Sequence, residues 1–137
     1  MTGKVAPIEW NESLVTGVSV IDEQHKILVN MINEANQRLD QKTRHDVLLE
    51  IVRDLISYAL YHFDEEEELM LAKNYSVEQR ERHIEEHRAF SQRVVTIQQE
   101  LQQGKFIQRD ELIGYLNNWL TNHIMGTDRL FTKTLIS

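Results

Sequence analysis

Residues 61–87, reading YHFDEEEELMLAKNYSVEQRERHIEEH, bring four potential metal ligands into one hairpin. His62 and Glu66 are four residues apart, and so are His83 and His87. On an α-helix that spacing places both side chains of a pair on one face, where they can close on a single ion. A short break at residues 73–76 separates the pairs, with Glu66 and His83 each seven residues from its nearer edge. Folded antiparallel, the two pairs meet at one level.

Working outward, four stripes of helical period emerge. The first carries Ile21, His25, Leu28, Ile32, Ala35 and Leu39, and the second Leu48, Val52, Leu55, Ala59, His62, Glu66 and Leu69. The third carries His83, His87, Phe90, Val94, Ile97 and Leu101, and a shorter fourth Leu112, Leu116, Trp119 and His123. Ser19 with Asp22, Thr43 with Asp46, and Ser76 with Gln79 have capping-box spacing. Asn74 and Gly104 suit helix C-termini, and the fourth helix is expected to begin near Gln108. Short connections favour antiparallel neighbours, so the expected fold is all-α, an up-down-up-down four-helix bundle. Residues 1–18 hold the single proline and show no helical period; they read as an N-terminal arm pinned by Trp10 and Leu14. One domain over residues 1–137 is expected.

The chain has no cysteine, which excludes thiolate metal sites, disulfides and cysteine nucleophiles. Any metal is held by nitrogen and oxygen. A net charge of -7 argues against nucleic acid as a partner. No signal-like N-terminus or long apolar run predicts membrane insertion, and a cytoplasmic location is expected. The outer faces show no large apolar patch, so a monomer is allowed and no oligomer is specified.

Five of the six histidines fall on the 23 stripe positions, where chance would place about one. In the expected topology His25, His62, Glu66, His83, His87 and His123 all lie at one end of the bundle. A buried unpaired carboxylate costs several kcal/mol or is forced neutral. Glu66 among aliphatic neighbours therefore needs a cation, and neutral imidazoles beside it are good metal ligands. Singly, each stripe histidine is more ordinarily a hydrogen-bonded core residue; the shared level and Glu66 turn the group into a metal site. His45 sits at the opposite end and reads as surface. Asp64, Glu65, Glu67 and Glu68 read as a solvated helix face, with an iron-uptake or docking patch as the lesser alternative.

Together IDEQHK with His25, HFDEEEELM, HIEEHRAF, HIMGTD and the WNESLVTGVSVID arm resemble the hemerythrin family, and within it the single-domain bacteriohemerythrins. The resemblance runs through essentially the whole chain. It implies a non-haem di-iron centre with an oxo or hydroxo bridge: His83, His87 and His123 on one iron, His25 and His62 on the other, Glu66 and Asp128 bridging. Asp128 lies outside the stripes. Five residues beyond His123 on a regular helix it points about 140° away, so the helix must end, bulge or tighten near Gly126 and Thr127.

The resemblance further implies reversible two-electron transfer from a di-ferrous pair to O₂, on the iron held by His25 and His62. The donors agree with this. Bundles that oxidise substrates at two irons use Glu-x-x-His pairs, and no histidine here has a glutamate three residues before it. Leu28, Phe63, Trp119, Ile124 and Met125 are the expected apolar walls of an O₂ pocket. Carriage, storage or delivery of O₂ without turnover is the first expectation. A di-iron oxidase or ferroxidase, an O₂ or redox sensor and a structural zinc bundle are its rivals.

Overall fold

The computed structural model describes residues 6–39, 45–105 and 107–136. After a 3₁₀ turn at Glu12–Leu14 come α1 (Ser19–Arg38), α2 (His45–Ala72), α3 (Val77–Gln102) and α4 (Arg109–Asn122). A π-helical turn, His123–Asp128, joins α4 to α5 (Arg129–Ile136). The fourth arm of the bundle is therefore not short: α4, the π turn and α5 run on as one rod. Among the described residues there is no strand, and no helix is long and apolar enough to cross a membrane.

End-to-end contacts fix the up-down-up-down order. Gln24 near the start of α1 meets His62 near the end of α2. His45 at the start of α2 touches the carbonyl of Leu101 at the end of α3. Arg109 at the start of α4 reaches the end of α1, donating to the Leu39 carbonyl and to Asn36 O and Oδ1 at 2.6 and 2.7 Å. His45 is exposed, as expected of a surface residue, yet it links two helix ends.

Every stripe position is buried except Leu48, Leu69 and Trp119, which are half-buried. Most of the aliphatic side chains form one core along the bundle axis. A smaller cluster of Ile21, Met70, Tyr75 and Phe131 closes the far end. The polar stripe residues lie between these two apolar masses.

The helix ends follow local chemistry. Ser76 caps α3, its hydroxyl accepting from Gln79 N at 3.5 Å. Asn74 (φ 54°) and Gly104 (φ 83°) take the left-handed conformation that closes α2 and α3. Tyr75 N then bonds Met70 O, and Lys105 N bonds Glu100 O, both at 3.0 Å. The cap expected at Ser19 is not there. Val18 occupies the N-cap position without a side-chain bond, and Asp22 instead accepts from Thr16 N, Thr16 Oγ1 and Gly17 N at 2.8, 2.7 and 3.1 Å. The arm thus takes the carboxylate that a capping box would have used. The cap expected at Thr43 lies outside the described residues.

In the arm, Leu14 is buried at 2% exposure, while Trp10 packs half-buried against the core. Ile8 and Asn33 exchange two hydrogen bonds, Ile8 N to Asn33 Oδ1 at 2.9 Å and Asn33 Nδ2 to Ile8 O at 2.8 Å.

Candidate metal centre

Each helix brings its donors to one level. α1 supplies His25, α2 supplies His62 and Glu66, and α3 supplies His83 and His87. The fourth arm supplies His123 and Asp128. The bulge alternative is the one the chain adopts: in a π turn the bond runs from residue i to i+5, which returns residues five apart to one face. Four-residue spacing achieves the same on the regular helices. All seven side chains are at most 3% exposed.

The donors fall into two groups that share both carboxylates. One comprises His83, His87 and His123 with Glu66 and Asp128; the other comprises His25 and His62 with the same pair. Glu66 Oε1 lies 2.8 Å from His83 Nε2 and 3.2 Å from His87 Nε2, while its Oε2 lies 3.6 and 4.0 Å from His62 and His25 Nε2. Asp128 divides in the same way. Its Oδ1 is 2.9 Å from His83 Nε2 and 3.1 Å from His123 Nε2, and its Oδ2 is 2.9 Å from His25 Nε2. Each carboxylate therefore faces both groups, one oxygen to each.

These short approaches are not hydrogen bonds in every case. His25 Nε2, His62 Nε2, Glu66 Oε2 and both Asp128 oxygens have no hydrogen-bond partner although they are buried. Buried polar atoms are normally satisfied. Five of them converging on one space is the arrangement that cations complete.

Three of the five histidines, His62, His87 and His123, turn Nε2 inward with the outer nitrogen engaged, whereas Nδ1 of His25 and of His83 is buried without a hydrogen-bond partner. Nδ1 of His62 contacts Gln24 Oε1 at 2.6 Å, that of His87 contacts Glu67 Oε2 at 2.8 Å, and that of His123 contacts Glu86 Oε1 at 2.8 Å. With Nδ1–H donating outward, the Nε2 lone pair points into the site. Thr127 Oγ1 also donates to Glu86, 2.7 Å from each carboxylate oxygen, and so fixes this carboxylate to the π turn. Glu67 is thus more than part of a solvated face. Sequence reasoning missed Gln24, Glu67, Glu86 and Thr127 in this role. Adjacency was the available signal, because Gln24 precedes His25, Glu67 follows Glu66 and Glu86 precedes His87.

Burial, then neighbouring imidazoles, pushes His62 down to about 3 and His87 down to about 2. Burial acts the same way on His123, but Asp128, Glu86 and Glu66 outweigh it and raise His123 to about 9. Burial and the nearby Asp128 hold Glu66 well above the usual carboxylate range. On Asp128 burial is overcome by His123, His25 and His83, which hold it well below that range. Without a cation the site already keeps His62 and His87 in the neutral form that binds metal.

The Hemerythrin HHE cation binding domain model matches residues 16–135. The chain belongs to the hemerythrin family. It is 37% identical to a bacteriohemerythrin of Pseudomonas aeruginosa strain LESB58, over 90% of this chain and 78% of that protein. To a bacteriohemerythrin of Stenotrophomonas maltophilia it is 32% identical, over 93% and 80% of the two chains. A solved wild-type hemerythrin superposes with a TM-score of 0.86 at 25% identity, covering 96% of this chain and all of that one.

This member of the hemerythrin family carries an apolar cavity of about 30 Å³ within the core of the bundle. Leu28, Phe63 and Trp119 line it together with core residues of α1–α4. Ile124 is wholly buried but does not line it, and Met125 is 43% exposed and also lies outside it. Helical phase accounts for Met125: two residues past His123 it faces about 200° away from it, so nearness in sequence to a donor does not put it on the donors' face. Phe63 stacks on His87 with centroids 4.0 Å apart, and Trp119 on His123 at 4.4 Å.

Proposed function

We propose that the seven donors hold two iron ions joined by an oxo or hydroxo bridge, and that the centre binds O₂ reversibly for carriage, storage or delivery without catalytic turnover. The two-way division of Glu66 and Asp128 between a three-histidine and a two-histidine group carries this reading. It matches two ions with bridging carboxylates. When bound, the iron pair would supply two electrons to O₂ and recover them on release.

The chain's own residues do the rest. His83, His87 and His123 would hold one ion, and His25 and His62 the other. Gln24, Glu67 and Glu86 fix which imidazole nitrogen faces inward. A donor set of five neutral nitrogens and two shared carboxylates favours reversible binding over oxidation chemistry, for which more anionic oxygen is the usual provision. Leu28, Phe63 and Trp119 keep the core cavity apolar, and its volume of about 30 Å³ suits a diatomic molecule.

The test is an optical spectrum of the reduced, iron-loaded protein before air, after air and after deoxygenation. One O₂ taken up per two irons and returned on deoxygenation is expected. Continuous O₂ consumption with excess ferrous iron would instead establish an oxidase. Elemental analysis showing zinc alone would overturn the iron assignment.

A further inference from the structure

A groove of about 330 Å³ runs between the first turns of α1 and the last turns of α2, and its lining includes Val20, Gln24, Glu65, Glu66, Glu68 and Leu69. Glu65 and Glu68 are exposed, whereas Glu66 is 1% exposed and Gln24 8%. The groove therefore starts among solvated carboxylates and ends on one of the seven donors. Glu66 Oε2, the oxygen facing His25 and His62, has no hydrogen-bond partner. The opposite group is differently enclosed. Aromatic rings lie over His87 and His123, and Phe131 approaches His83 edge-on with centroids 6.2 Å apart.

We propose that this groove is the route by which divalent cations reach the buried donors, with Glu65 and Glu68 collecting them at the mouth and Glu66 receiving them at the floor. The inference rests on the metal-centre reading above. A hydrated cation sheds water stepwise, and a line of carboxylates from solvent to interior replaces that water with oxygen ligands. Two like charges at a concave mouth also raise the local cation concentration. Gln24 forms the inner wall and holds His62 Nδ1, so the imidazole is already turned to receive the ion.

The test is stopped-flow uptake of Co²⁺ alone by the metal-free full chain, followed by its visible absorption. Parent protein is compared with E65Q/E68Q, with V20W, which fills the mouth from a position already 52% exposed, and with E50Q/E100Q, which makes the same charge change at the opposite end. E65Q/E68Q should load about threefold to tenfold more slowly at low salt, the gap closing as salt is added. V20W should slow uptake and chelator-driven release by one common factor, because a narrowed passage changes rates and not affinity. Final occupancy should stay at two ions per chain in every variant. Parental rates in either groove variant, or equal slowing in E50Q/E100Q, would overturn the route. A parent that never reaches two ions would instead overturn the metal-centre reading, so the two failures are distinguishable.

Discussion

Glu66 and His45 are both polar residues on α2, but their surroundings differ completely. Glu66 has one oxygen toward each histidine group, whereas His45 is exposed at the far end. Glu66→Ala is expected to lower bound metal below two ions per chain, and His45→Ala to leave it unchanged; metal analysis after gel filtration checks both. Leu28 is buried and lines the apolar cavity. Leu28→Ala should cost about 2–5 kcal/mol of stability in urea unfolding and leave metal content intact. The oxygenated form should decay faster to the di-ferric state, and an unchanged lifetime would remove Leu28 from the proposed pocket wall. At this scale the sequence was informative where a polar residue interrupted an apolar stripe, as at His62 and Glu66. For Gln24, Glu67 and Glu86 it offered only adjacency to a donor, which does not tell whether a polar residue on a stripe's flank faces water or a histidine nitrogen.

Helix boundaries show the same limit at the next scale up. Ser19 and Ser76 have identical capping-box spacing, yet only Ser76 caps its helix. Asp22 is drawn away by three donors in the arm, a tertiary competition invisible to local pattern. Ser76→Ala should therefore lower stability by about 1 kcal/mol, and Ser19→Ala by only a few tenths. Urea titration of the two variants side by side checks this. The bundle itself was legible because three long stripes fix their own phase. The length of the fourth arm was not, since the π turn shifts that phase after His123 and interrupts the stripe's period.

For the whole molecule, the buried charges set a pH dependence of the metal-free fold. His62 and His87 titrate near 3 and 2 when folded against 6.5 when free. Between those values the unfolded chain binds protons that the native site refuses, so stability falls as pH drops below about 6.5. Glu66, with its raised value, opposes this above 4.5, but it is one group against two. His123, raised to about 9, adds stability that is fully present below 6.5 and lost as pH rises through 9. Metal-free protein should thus be most stable near pH 6.5, as urea midpoints in a chelator-containing pH series would show; a monotonic rise to pH 9 would contradict it. The π turn has a consequence of another kind. A π turn is an α-helix holding one surplus residue, so the downstream helix keeps its place when that residue is lost. Removing the codon for Met125, an exposed side chain, would leave His123 and Asp128 four positions apart, the spacing that already serves His62 and Glu66. Such a deletion should retain two metal ions and the packing of Phe131. Deleting Ala59 should abolish both, because it turns the rest of α2 by about 100°. In a chain of tightly registered helices, residues 123–128 are where evolution can gain or drop a letter without rewriting the word.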